Sequence, residues 1–115
     1  MKQLIRKILK EETEPETELT DLENKGIDFV VKILKKNYPF KVLVDPSHAM
    51  GDSKYVHDAS MAALAAGADG LLIEVHPDPK SALSDPEQAL DLTLLRNLVN
   101  KLEKACPVFN KNLRV

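Results

Sequence analysis

Apolar positions recur along this chain with two different periods. Leu4, Ile5, Ile8 and Leu9 share one stripe if residues 2–10 wind into a helix, with Lys7 and Lys10 among its polar positions. Ile27, Val30, Val31 and Leu34 repeat at i, i+3, i+4 and i+7, which predicts a second helix from Gly26 that Pro39 ends. KVLVD (41–45) and GLLIEV (70–75) are instead continuous runs of leucine and β-branched residues, the pattern of short strands buried on both faces of a parallel sheet. Between them, YVHDASMAALAA predicts a helix capped by Asp52 or Ser53 and stopped at Gly67, where glycine suits the left-handed C′ position. Its alanines, Ala59, Ala62, Ala63 and Ala66, let it lie close to a sheet. A last helix is expected from Asp85 or Pro86, carrying Leu90, Leu94, Leu95, Leu98 and Leu102 before Pro107. The order is β-α-β, whose crossovers join parallel strands and are right-handed in nearly all proteins.

EETEPETELTDLE, from Glu11 to Glu23, holds seven acids and no base, so it repels itself and has little to bury. Three segments follow from these patterns: an amphipathic helix with an acidic linker over 1–25, a β/α unit over 26–106 and a tail over 107–115. A chain of 115 residues holds one small domain, and a hydrophobic content of 43% supports a core. The net charge of −2, with arginine only at Arg6, Arg96 and Arg114, gives no electrostatic reason to expect nucleic acid. No apolar stretch is long enough to span a bilayer, and no signal-peptide pattern opens the chain, so a cytoplasmic location without membrane contact is expected. The single cysteine, Cys106, excludes an internal disulfide and any CxxC zinc site, and reads as a small apolar residue. With only four glycines there is neither GxGxxG nor a Walker loop.

Chemistry concentrates where the strands end. In a parallel β/α sheet the carboxyl ends of neighbouring strands converge on one rim, and ligands bind there. His48 follows the first strand in VDPSHAMG, Glu74 lies near the end of the second, and Asp85 comes shortly after it. One imidazole and two carboxylates suit a divalent Mn, Fe, Co or Zn ion. Each residue also has a plainer reading. Asp45 and Ser47 are ordinary turn formers around Pro46, and His48 can be a hydrogen-bonded loop histidine. Glu74 can occupy an exposed edge, although an acid within an apolar strand needs a partner or water. Asp85-Pro86-Glu87-Gln88 looks like an N-cap, an N1 proline and a capping-box glutamine; if Ser84 caps instead, Asp85 is free. His57 reads as a surface residue of its helix, and His76 as either a neighbour of the metal ligands or a turn stabiliser.

VDPSHAMG, AALAAGADGLLIEVHPDPKSALSD and the trailing EQAL together resemble the carboxyl-terminal part of the 3-deoxy-D-arabino-heptulosonate 7-phosphate (DAHP) synthases, type I β subclass, from about Gly26 to Leu102. The related 3-deoxy-D-manno-octulosonate 8-phosphate synthases are a poorer match, since they usually read DATHS where this chain has DPSHA. The resemblance implies an α/β fold that is part of a TIM-type (β/α)8 barrel: its last two β/α units and the helix before them. It implies condensation of phosphoenolpyruvate with erythrose 4-phosphate, the first committed chemistry of aromatic amino-acid synthesis. It also implies a metal held by His48, Glu74 and Asp85, together with a cysteine from an early strand.

That cysteine motif has no counterpart here, and Cys106 is not a substitute for it. The arginines and lysines that clamp the anionic substrates are also missing, and Asp52 and Ser53 stand where the family has a basic residue after the DPSHA glycine. The chain is therefore expected to be inactive alone, with a second copy or a partner chain supplying the remaining barrel strands. The alternative is a non-catalytic metal-binding, regulatory or structural module that self-associates through its open sheet.

Overall fold

The structure, a computed structural model, describes residues 26–115; the helix and acidic linker expected over 1–25 lie outside them. Helix α1 (Ile27–Asn37) turns Val30, Val31 and Leu34 inward, as its period predicts. Strand β1 (Leu43–Val44) leads into a short helix α2 (Pro46–Met50), then α3 (Ser53–Ala66), strand β2 (Gly70–Leu71) and α4 (Leu92–Ala105). Single 3-10 turns lie at Pro79–Ser81 and Cys106–Phe109.

The two strands pair in parallel, Leu43 with Gly70 and Val44 with Leu71. Both are shorter than their apolar runs predict, and only one face of the sheet is covered. Val42 and Val44 are 6% and 2% exposed beneath the helices, whereas Leu43 and Leu72, on the other face, are each 56% exposed. The side chain of Leu43 lies across Gly70, where a Cβ would come within 2.6 Å of it. A strand continuing beyond Leu71 needs partners that the two-stranded sheet does not provide. Among the described residues, an isolated parallel bridge, Val75 with Leu90, is all that extends it.

Two apolar clusters hold the helices to the sheet. Val30, Val31 and Leu34 pack with Val42, Val44, Ala63 and Ala68. Val56 and Leu64 pack with Leu90, Leu98, Leu102 and Cys106, and Leu71 touches both clusters. Each such aliphatic side chain removed from water contributes about 1.5–3 kcal/mol. Helix α3 lies between the clusters; Ala59 and Ala63 are buried as the sequence suggests and Ala66 partly so, whereas Ala62 faces solvent. Asp52 caps it by accepting the Lys54 N–H, and Gly67 ends it at φ 105°.

The last helix departs from expectation. It starts at Leu92, not near Asp85, and its cap is Asp91, which accepts the Leu94 N–H at 2.7 Å. Leu90 is not helical: its N–H and C=O bond Glu74 and His76, which takes it into the extended bridge. Asp85 has φ 50°, a left-handed conformation incompatible with an N-cap, so neither Asp85 nor Ser84 starts α4. The tail over 107–115 is anchored to the rest of the chain. Leu113 packs on the second cluster, and Lys111 donates its N–H to the Cys106 carbonyl.

Candidate metal centre

Asp45, at the end of β1, begins the construction of the site. Pro46 follows at the first helical position, where its missing N–H costs nothing, and a single helical turn carries the chain to Gly51 in the left-handed region at φ 69°. Asp45 Oδ1 accepts the His48 N–H at 3.0 Å and caps that turn. Its other oxygen, Oδ2, lies 2.6 Å from His48 Nδ1. One carboxylate thus holds both the backbone and the ring of His48, and leaves Nε2 to face outward.

Ser47, fully buried in the same turn, reaches the neighbouring strand: its Oγ accepts the Glu74 N–H at 3.0 Å. The Glu74 carbonyl accepts from Leu90 N–H at 2.9 Å, so the Glu74 backbone is pinned on both sides. Beyond it, Gln88 N–H donates to Asp85 C=O and Ser53 N–H to Glu87 C=O, fixing the turn that presents Asp85.

The result is convergence. His48, Glu74 and Asp85 each offer a ligand atom, and the three lie within 4.8 Å of one another. His48 Nε2 is 3.9 Å from Asp85 Oδ2. Bonds of about 2.0–2.2 Å to a shared ion put donor atoms at most about 4.4 Å apart, so small side-chain rotations close the set. Glu74 Oε2 is buried with no hydrogen-bond partner among the described residues, a costly arrangement for a carboxylate unless a cation faces it. The donor chemistry and this orphaned oxygen both fit a divalent ion. The hydrogen bond to Asp45, then the Asp45 charge, raise the His48 pKa above its ordinary 6.5; slight desolvation opposes them, and Glu74 and Asp85 add to the rise. The rim is electronegative enough to favour a positive charge at its centre.

Asp45 and Ser47 are therefore more than the turn formers their types suggested. The signal available in the sequence was the Asp-Pro-Ser-His spacing itself, which puts an N-cap carboxylate three residues before an imidazole. His76 does not approach the three; its Nδ1 accepts the Asp78 N–H at 3.0 Å and stabilises the turn. His57 is only half-exposed, with Nε2 shielded and unpartnered among the described residues, rather than a surface side chain. Cys106 is buried in the second cluster and does not join the ligand group.

Comparison with known proteins gives this geometry a context. The model of the DAHP synthetase I family matches residues 18–107. A phospho-2-dehydro-3-deoxyheptonate aldolase of Thermotoga maritima is 46% identical over 74 residues, which cover 64% of this chain and 22% of the relative. A 2-dehydro-3-deoxyphosphooctonate aldolase of Koribacter versatilis is 48% identical over 52 residues, 45% of this chain and 19% of that one. The solved truncated form of 3-deoxy-D-arabino-heptulosonate 7-phosphate synthase from Thermotoga maritima superposes with a TM-score of 0.74 at 39% identity, covering 76% of this chain and 33% of the other. The chain thus spans between about a fifth and a third of the proteins it matches.

Proposed function

The chain belongs to the DAHP synthetase I family, and from that premise we propose that it forms part of the metal-holding rim of a DAHP synthase barrel, with His48, Glu74 and Asp85 as three ligands of a divalent ion. The observation that carries the reading is the convergence of these three side chains from the ends of both strands and the turn beyond, within 4.8 Å. Supporting it, Asp85 adopts φ 50°, a left-handed conformation uncommon outside glycine though better tolerated by aspartate than by most residues, and such residues gather at functional sites.

The reaction we assign to the completed barrel is the aldol-type joining of phosphoenolpyruvate to erythrose 4-phosphate. A divalent ion at such a site, whether Mn, Fe, Co or Zn, supplies Lewis-acid polarisation of an aldehyde oxygen. This chain's contribution is positional. His48 presents Nε2, Glu74 presents a carboxylate held by its pinned backbone, and Asp85 completes one side of the coordination sphere.

A fourth ligand and the cationic groups that neutralise two phosphorylated substrates come from β/α units outside these 115 residues. The chain alone is therefore assigned no turnover, and a second polypeptide, either another copy or a partner, is proposed to provide the missing strands. In a cytoplasmic setting this partner would pair along the open edges of the sheet and enclose its uncovered face.

Titration of the chain with Co²⁺ or Mn²⁺ tests the site. Binding is expected for the wild type and is expected to fall sharply for His48→Ala and Glu74→Ala; equal binding by all three removes the metal assignment. Phosphoenolpyruvate consumption in the presence of erythrose 4-phosphate and Mn²⁺ tests incompleteness, and appreciable turnover by the chain alone would overturn it. Metal binding that persists with no partner-dependent activity would favour the non-catalytic module instead.

A further inference from the structure

The geometry points to Asp45 as the positioning residue of the site: its carboxylate fixes the ring tautomer and aim of His48, so that the Nε2 lone pair faces Glu74 and Asp85. This rests on the assignment of His48 as a metal ligand. It adds a residue that does not itself touch the ion.

The two Asp45 oxygens divide the task. Oδ1 accepts the His48 backbone N–H at 3.0 Å, which sets where the Cα of His48 stands. Oδ2, at 2.6 Å from Nδ1, can only accept, so in the neutral imidazole the proton is held on Nδ1 and the lone pair is left on Nε2. Nε2 is the nitrogen that lies 3.9 Å from Asp85 Oδ2. With the opposite tautomer, the ring would present an N–H to the site and could not donate electrons to a cation. Pro46 and the fully buried Ser47 hold the intervening turn, so the side chain of His48 has one anchored orientation although it is half exposed to solvent. A carboxylate behind a ligating imidazole typically matters by about 10–100-fold in metal affinity.

Asparagine separates this role from helix capping. Asp45→Asn keeps an Oδ1 that caps α2 as well as aspartate does, but it places an amide N–H₂ opposite Nδ1, which favours the Nε2–H tautomer. Asp45→Ser also keeps a capping oxygen and removes any group that reaches the ring. The experiment has two readouts on the full chain. The first is the ¹⁵N spectrum of the metal-free His48 imidazole, recorded at about pH 9, where histidine is neutral. The second is Co²⁺ affinity by titration, with unfolding midpoints recorded to confirm that both variants are folded.

The wild type is expected to show a protonated Nδ1, and Asp45→Asn a protonated Nε2. Both variants are expected to bind Co²⁺ about 10–100-fold more weakly while unfolding near the wild-type midpoint. If Asp45→Asn leaves tautomer and affinity unchanged while His48→Ala abolishes binding, the positioning role is overturned and the metal assignment stands. If His48→Ala binds like the wild type, both fall together.

Discussion

Ser47 has no side-chain volume to speak of and is 0% exposed, yet its hydroxyl joins the two strand ends. The Glu74 N–H it accepts is only partly accessible to water, so Ser47→Ala should leave a donor unsatisfied and cost about 1–3 kcal/mol of stability. Urea unfolding of the variant, with an unchanged slope and a lower midpoint, checks this. Asp69 performs a comparable task at the other rim. It accepts the Val42 N–H at 2.8 Å and pairs with Lys35 at 2.7 Å. Partial burial pushes its pKa up, but the Lys35 hydrogen bond, the Val42 N–H and the charges of Lys35 and Lys41 outweigh it and lower the pKa from 3.8 to about 2. A carboxylate more acidic when folded stabilises the fold fully above its unfolded pKa and loses that stabilisation as pH falls through the folded one. Stability should therefore decline between pH 3.8 and about 2, and Asp69→Asn should flatten that part of the profile measured by urea unfolding across pH. That His48, Glu74 and Asp85 would meet at the strand ends was suggested by their places after the two apolar runs, and the structure brings them within 4.8 Å; pattern alone left each with a plainer reading, and only the family resemblance singled them out as ligands. Ser47 and Asp45 were not legible, because a hydroxyl or acid beside proline is ordinary turn composition until its partner is known.

At the level of elements, α1 and α3 were readable almost to the residue, since a 3.6 period, an Asp52 cap and a Gly67 stop all agree. The start of α4 was not. Asp85-Pro86-Glu87-Gln88 has the composition of a helix beginning, and Leu90 continues the apolar spacing of Leu94 and Leu98. Tertiary contact decides otherwise: the hydrogen bonds of Leu90 to Glu74 and His76 hold it extended, and Asp91 supplies a second, equally good cap. Two substitutions distinguish the outcomes. Asp91→Ala removes the acceptor for Leu94 N–H and should lower stability by about 0.5–2 kcal/mol. Asp85→Gly suits the φ 50° backbone and removes the carboxylate, so it should leave helix content and unfolding midpoint near those of the wild type while weakening Co²⁺ binding. Circular dichroism with a thermal melt and a metal titration on both variants checks the pair; a loss of helix content in Asp85→Gly would restore that residue as a cap.

For the whole molecule, the helices and the sheet are covered unequally. Three helices lie on one face of two short strands, while Leu43 and Leu72 on the other are 56% exposed. A cavity of about 560 Å³ also opens between β2 and α4, bordered by Leu71, Ile73, Val75, Leu95 and Leu113. A parallel sheet is stable when both faces are covered and its edges are paired, and two strands satisfy neither condition. The superposition covers only a third of a solved synthase, so the uncovered face is consistent with the proposal that further strands complete a barrel around it. The sequence carried this only indirectly, since apolar runs show that both faces expect cover but not that one face is left open among the described residues. Exposed leucines beside unpaired strand edges should therefore drive association. Sedimentation velocity of the wild type is expected to show an average mass that rises with concentration. Leu43→Lys with Leu72→Lys places charge on the uncovered face without touching either core cluster, and it should shift the population toward monomer with no loss of helix content. A wild type that stays monomeric at every concentration would mean that the open face tolerates water, and would overturn completion of the barrel by a second copy of this chain.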